Sequence, residues 1–282
     1  MRSPLGVQRG NKAVIASTMA TCHEFPDREL FGEDVIWSDD PDYGLLSSHR
    51  LITRATHTRD GQFGPATGKQ WTVRVIADCA ARDNTIYDEW LVRDYGGIVR
   101  QIGLDPREYT AALIEGEGGP EHASRPFAPD MDVDGGYHGT GNDNEWGQRY
   151  ADILSRVMTT DFTHLRGACD RAIIGEYAGA QSTLDVEGTI AFWLGLRSSF
   201  PSAEFKIHHQ IGMDGGMMSP RAALRWSLDG THDGWGSFGK PTGAKVHVMG
   251  MCHAEFGPWG LRREFALYDE IAIWKQILLG TG

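Results

Sequence analysis

One stretch of this chain occurs twice. Thr231-His232-Asp233-Gly234-Trp235-Gly236-Ser237-Phe238-Gly239-Lys240-Pro241-Thr242-Gly243 repeats Thr56-His57-Thr58-Arg59-Asp60-Gly61-Gln62-Phe63-Gly64-Pro65-Ala66-Thr67-Gly68, 175 residues later. The shift holds without a gap from Thr56/Thr231 to Ile102/Ile277, and 13 of those 47 positions are identical. Average residue usage would give roughly three. Beyond the turn, the identities are Val73/Val248, Glu89/Glu264, Asp94/Asp269, Ile98/Ile273, Gln101/Gln276 and Ile102/Ile277. An ungapped match across two strands and their turn is one supersecondary unit used twice. In 282 residues it implies two domains, each with its own core. We expect the first over 1–107 and the second over 145–282. The Gly/Asp/Pro-rich stretch 108–144 between them is expected to be a linker or a lid.

The formal charge of −11 argues against a nucleic-acid partner. No run of about 18 apolar residues exists to span a membrane. Met1–Val7 lacks the apolar core of a secretory signal. Cys22, Cys79, Cys169 and Cys252 show no CxxC spacing, and Cys79 and Cys252 align with Ala254 and Ala77. They read as small buried residues of a reduced, cytoplasmic protein. With no dinucleotide fingerprint, phosphate loop, nucleophile elbow or metal-ligand spacing, neither cofactor nor metal is expected. Nine Trp and nine Met suit a pocket for a small hydrophobic or aromatic substrate, although such residues more often fill cores. A homo-oligomer is expected.

Leu45–Thr58 alternates as a strand, with His49, Leu51, Thr53, Ala55 and His57 on one face. Strands follow over Gln70–Ala80 and Thr85–Arg93. Asp94 then caps a helix that Gly103 ends. The second half reads as helices over Glu145–Thr159, Thr163–Gly179 and Val186–Ser198, four strands between Glu204 and Leu267, and a last helix, Asp269–Leu279. Helices followed by a curved antiparallel sheet make an α+β layout: two tandem cone-shaped α+β barrels, each with a cavity between sheet and helices.

Gly230-Thr231-His232-Asp233-Gly234, with Phe238–Gly243, resembles the signature turn of the SnoaL-like polyketide cyclases of the nuclear transport factor 2-like superfamily. Glu89–Asp94, running into Gly97–Leu104, resembles that family's last strand and C-terminal helix, and Phe200-Pro201-Ser202-Ala203 its Phe-Pro-Asp bend. The resemblance implies a cofactor-free, aldol-type ring closure. Its acid/base is the Asp four residues after the Trp of the last strand. That role falls on Asp94 and, with Phe265 in place of the Trp, on Asp269. The family's Gly-Thr-His position falls on His232 and, with Ala55 replacing Gly, on His57. Formaldehyde-releasing lyases of lignin-derived diarylpropanes belong to the same superfamily, and no motif here separates the two.

From the residues alone, a carboxyl group at Asp94 or Asp269, partly desolvated where strand meets helix, would have a raised pKa and could move a proton. The plainer role is an N-cap. His57 and His232 would assist that carboxylate or pin the turn. His49 shares a face with His57. With Arg54, Trp90, Trp226, Trp235, Met249 and His253, it makes up the expected substrate-binding set. His247, Met249, Met251, His253 and Glu255 share one strand face, expected either to wall a pocket or to form an oligomer interface. His208 and His209 are adjacent, point opposite ways on a strand and cannot share a metal. Two classes of function follow. One is a cofactor-independent acid–base enzyme of lyase, cyclase or isomerase type, acting on a bulky aromatic hydroxy or carbonyl substrate. The other is a non-catalytic tandem ligand-binding or dimerisation module.

Overall fold

A computed structural model describes residues 1–215 and 217–281. The first of its two six-stranded sheets contains β1 (Arg2–Ser3), β2 (Gly6–Val7), β3 (Glu29–Asp40), β4 (Gly44–Thr56), β5 (Gln70–Arg82) and β6 (Thr85–Arg93), in the order β2-β1-β6-β5-β4-β3. The second contains β7 (Cys169–Tyr177), β8 (Gln181–Thr183), β9 (Glu204–Met213), β10 (Arg221–Thr231), β11 (Lys245–Gly257) and β12 (Gly260–Tyr268), in the order β8-β7-β12-β11-β10-β9. The two orders are equivalent, and so are the registers. Arg50 lies opposite Asp34 and Ile76, and Arg225 lies opposite His209 and Met251, each 175 positions on. Both outer strand pairs shift register at the same place, beside Asp34 and beside Arg225. The duplication therefore extends back past Thr56, to Phe25-Pro26 and Phe200-Pro201.

The helices are α1 (Gly10–Glu24), α2 (Tyr95–Gln101), α3 (Pro106–Gly116), α4 (Glu145–Met158), α5 (Phe162–Ala168), α6 (Val186–Ser199) and α7 (Glu270–Leu279). All but α1 begin on an Asp or Asn whose side chain accepts a first-turn backbone N–H: Asp94, Asp105, Asn144, Asp161, Asp185 and Asp269. The expected helix Thr163–Gly179 is two elements: α5 stops at Ala168 and β7 starts at Cys169. Leu165, Cys169 and Ile173 fit helical spacing, but so short an apolar run fits a buried strand as well. β7 runs parallel to β12, as β1 does to β6, so each sheet is mixed rather than wholly antiparallel.

Helices α4, α5 and α6 cover the inner face of the second sheet. The cone expected there is filled, because Trp193, Trp226, Tyr150, Phe200 and Phe256 are all fully buried in it. Glu264 sits among them and accepts hydrogen bonds from the Tyr150 and Tyr177 hydroxyls and from Trp193 Nε1, at 2.9, 2.7 and 3.0 Å. In the first half α1 buries one residue, Glu24, and leaves Ile15 and Met19 exposed.

The outer faces of the two sheets pack against each other. Ile36, Ile76, Trp90 and Val92 meet Ile211, Ala223, Met249, Met251 and Leu267 in one apolar cluster. The strand face that carries His247, Met249, Met251, His253 and Glu255 is thus the seam between the halves. Polar groups cross it. Ser48 Oγ donates to Asp78 Oδ1 at 2.6 Å and lies 2.8 Å from His253 Nε2. Asp78 also pairs with His209 at 3.4 Å.

Candidate functional site

The repeat's shared residues are placed as scaffold. His57 and His232 are fully buried. Their Nδ1 atoms lie 3.2 and 3.1 Å from the hydroxyls of Thr67 and Thr242, and their rings pack on Phe25 and Phe200. Each pins its Gly-rich turn, and neither Nε2 has a hydrogen-bond partner among the described residues.

Asp94 and Asp269 cap α2 and α7 and are also buried. Asp94 accepts from Gly97 N at 2.9 Å and, across the seam, from Gly179 N and Ala180 N, both at 2.8 Å. Among the described residues, Asp269 accepts only from its own helix, from Ile271 N at 2.9 Å and Ala272 N at 3.3 Å. The first-half hairpin equivalent to Gly179-Ala180 contains Pro4, which has no N–H to offer. Burial pushes Asp94 up to about 6 and Asp269, with fewer compensating donors, up to about 8. Asp94 borders a polar cleft of about 290 Å³ with Thr72, Arg74 and Glu176. Asp269 borders a small cavity of about 70 Å³ with Ser3, Pro4 and Leu5.

The other expected residues are dispersed. His49 is half-buried on the first inner face, with Ser47 Oγ 2.9 Å from its Nε2, and burial lowers its pKa. Arg54 is exposed and pairs with Glu29. Trp235 is exposed. His253 lies fully buried in the seam, where burial drives its pKa well down. Trp226 is buried and donates Nε1–H to Cys252 Sγ at 3.0 Å.

Trp90, Trp226 and Met249, however, are brought together. They line a cavity of about 120 Å³ in the seam with Phe127, His208, Arg225, Ser227 and His247. It adjoins a broad cleft of about 770 Å³ between the connecting segment Pro120–Pro129 and the ends of β10 and β11, and the two share Pro129 and His247. A line of hydrogen-bonded groups lies along this wall. His208 Nε2 is 2.8 Å from Ser227 Oγ, Ser227 Oγ donates to Asp229 Oδ2 at 2.9 Å, and Asp229 Oδ1 is 2.5 Å from His247 Nδ1. Strand geometry explains the grouping. Arg225, Ser227 and Asp229 alternate along β10 to one face, and Asp229 is the cross-strand partner of His247. Gln276 holds the β11 end by bonding both His247 N and His247 O, at 2.7 and 2.9 Å. Burial disfavours the Asp229 carboxylate, but the hydrogen bonds from His247 and Ser227 outweigh it and hold its pKa below the usual range. Burial, and then the charge of Arg225, drive His208 down to about 4, so its ring is neutral near pH 7.

In the sequence, His208 stands beside His209 with no metal to share, His247 lies on a strand face, and Ser227, Asp229 and Arg225 carry no functional reading. The available signal was the pairing of β10 with β11, which sets Asp229 against His247. Among the described residues no group of three or more His, Cys, Asp or Glu is placed to hold a metal ion.

No family model matches the chain, and no curated protein matches it. Solved structures that it resembles include a SnoaL-like polyketide cyclase from Agrobacterium tumefaciens str. C58, 19% identical, covering 48% of this chain and 98% of that one, with a TM-score of 0.37. A candidate SnoaL-like polyketide cyclase from Jannaschia sp. CCS1 is 17% identical over 48% of this chain and 96% of its own, with a TM-score of 0.40. IdmH, a candidate polyketide cyclase from Streptomyces antibioticus, is 15% identical over 48% and 99%, with a TM-score of 0.39. Each likeness takes up about half of this chain and nearly the whole of the other.

Proposed function

We propose that this chain is a cofactor-independent acid–base enzyme of lyase or cyclase type, acting on an aromatic hydroxy or carbonyl compound bound in the seam cavity. The observation that carries the reading is the Asp229–His247 contact of 2.5 Å at the junction of an aromatic-walled cavity and an open cleft. A carboxylate on Nδ1 fixes the tautomer and orientation of the imidazole and leaves Nε2 as the proton acceptor. In an aldol-type cleavage, Nε2 takes the proton of the β-hydroxyl. The C–C electron pair passes to the carbonyl as an enolate, and a small aldehyde such as formaldehyde leaves. The proton then returns to the α-carbon. The reverse proton sequence closes a ring. Trp90, Phe127 and Met249 would hold the aromatic part and exclude water.

The test is aldehyde release from a panel of β-hydroxy aryl ketones and diarylpropanoids. Asp229→Asn and His247→Gln should each lower kcat/KM by roughly 10²- to 10⁴-fold, the usual contribution of a positioned acid–base group. Asp94→Asn and Asp269→Asn, measured alongside, should keep most of the turnover. Full activity in both Asp229→Asn and His247→Gln would remove the proposed base. Retention of aryl ligands with no turnover by the native chain would favour the non-catalytic binding module.

A further inference from the structure

The duplication supplies an internal control for one residue of this cavity. Arg50 and Arg225 occupy equivalent positions in the two sheets, and each stacks across the seam on the equivalent aromatic of the other half. Arg50 lies 3.5 Å from the Phe265 ring centroid, and Arg225 lies 3.7 Å from that of Trp90. Both are at least nine-tenths buried. Their partners differ. Arg50 donates to two carboxylates, Glu33 and Glu255, each at 3.2 Å. At the equivalent positions Arg225 meets His208, whose ring is neutral, and Ala80. Asp78 lies 3.5 Å behind Nε, and its carboxylate is shared with His209 and Ser48. Arg225 makes no hydrogen bond among the described residues. Its Nε is sealed beside Asp78, its one ionic partner among the described residues, and the side chain lines the cavity. Asp132, the one acid on the cavity wall, is bound by Arg2. A buried guanidinium whose terminal amino groups lack an acceptor is costly, and a carboxylate is the group that matches them in charge and shape.

We propose that Arg225 is the anion-binding group of this site and that its ligand is an aromatic carboxylate, the ring lying among Trp90, Phe127 and Met249. The cavity of about 120 Å³ is the size of one aromatic ring, and the rest of the molecule would extend into the cleft beside Asp229. This rests on the reading of the seam cavity as the ligand site but not on catalysis there. Two oxygens would take the two amino groups of Arg225, and His208 or Ser227 would be within reach of the same end of the ligand.

The experiment is a calorimetric titration of the full chain with 3-phenylpropionate and with its neutral isostere, 3-phenylpropionamide. The native protein should bind the acid roughly 10- to 100-fold more tightly, the value of a charge-assisted fork. Arg225→Gln should abolish that preference, Arg225→Lys should restore part of it, and Arg50→Gln should leave it unchanged. The titration reads binding without turnover, which separates a failure of the acid–base reading from a failure of this one. Equal affinity of native protein for acid and amide, or an unaltered preference in Arg225→Gln, would overturn the proposal. Circular dichroism of each variant checks that the fold survives.

Discussion

At the scale of single residues, several groups that the two halves share hold helix ends and turns, and several in which they differ line the proposed site. Asp94/Asp269, His57/His232 and Glu89/Glu264 were legible as important because they are repeated, and in the structure Asp94, His57, Glu264 and their counterparts Asp269 and His232 hold helix ends, turns and a core together. Arg54/Asp229, Thr72/His247 and Glu33/His208 are unmatched, so a search for recurrence passed over them. The repeated carboxyls still make a measurable prediction. An unfolded Asp titrates near 3.9, whereas burial holds Asp94 near 6 and Asp269 near 8. The folded chain therefore binds protons that the unfolded chain has released. Their contribution to stability is fully present below pH 4 and is lost as the pH rises through 6 and then 8. Asp269→Asn should flatten the fall in unfolding free energy, read from urea unfolding between about pH 4 and 8, by an amount on the order of a few kcal/mol. Curves parallel to those of the native protein would show that the Asp269 carboxyl is not the titrating group.

At the scale of elements, the Thr-His turn and its Gln clamp form one device used in both halves. Gln101 bonds the N–H and C=O of Thr72 as Gln276 bonds those of His247, tying each sheet to the helix that follows it. Glu24 and Ser199 occupy equivalent positions, and each accepts the N–H of the turn phenylalanine, Phe63 or Phe238. Replacing Thr242 by Val would leave His232 Nδ1 buried and unpaired, and should lower the unfolding free energy by about 1–3 kcal/mol. Thr67→Val should do the same in the first half. Chemical denaturation of the two variants checks this, and a loss under about 0.5 kcal/mol in both would mean that the hydroxyls do not pin the turns. Most elements were legible in the sequence because alternation and caps agreed: β4, β5 and the helices after Asp94 and Asp269 lie where those signals put them. β7 was not. Its pairing is parallel to β12, a partner about ninety positions on, and no local pattern encodes it. Nor was the filling of the second cone, which depends on Trp193 from α6 meeting Trp226 from β10.

At the scale of the molecule, the sequence announced two units but not how they fit, because the surfaces that meet are apolar strand faces that could equally wall a cavity. The structure joins them along an approximate two-fold relation. The sheets share the cluster of Ile36, Ile76, Trp90, Met249, Met251 and Leu267. Asp94 takes its two cross-seam hydrogen bonds from the β7–β8 hairpin. Arg100 pairs with Glu270 and Lys275 with Glu117, both across the division. Asp78, Ser48, His209 and His253 pair with one another across the seam, so separating the sheets would take a buried carboxylate and hydroxyl away from these partners. Two domains with ordinary linkers unfold separately. Two that share a core of this kind should unfold together. Calorimetry of the native chain is expected to give one transition, with a van 't Hoff enthalpy close to the calorimetric one. Leu154→Ala, deep in the second half and far from the seam, should lower that single midpoint by several degrees rather than split it, since a Leu→Ala cavity costs about 2–5 kcal/mol. Two resolved transitions, with only the second moved by Leu154→Ala, would mean that the halves are independent and that a cavity formed between them lacks the rigidity its chemistry requires.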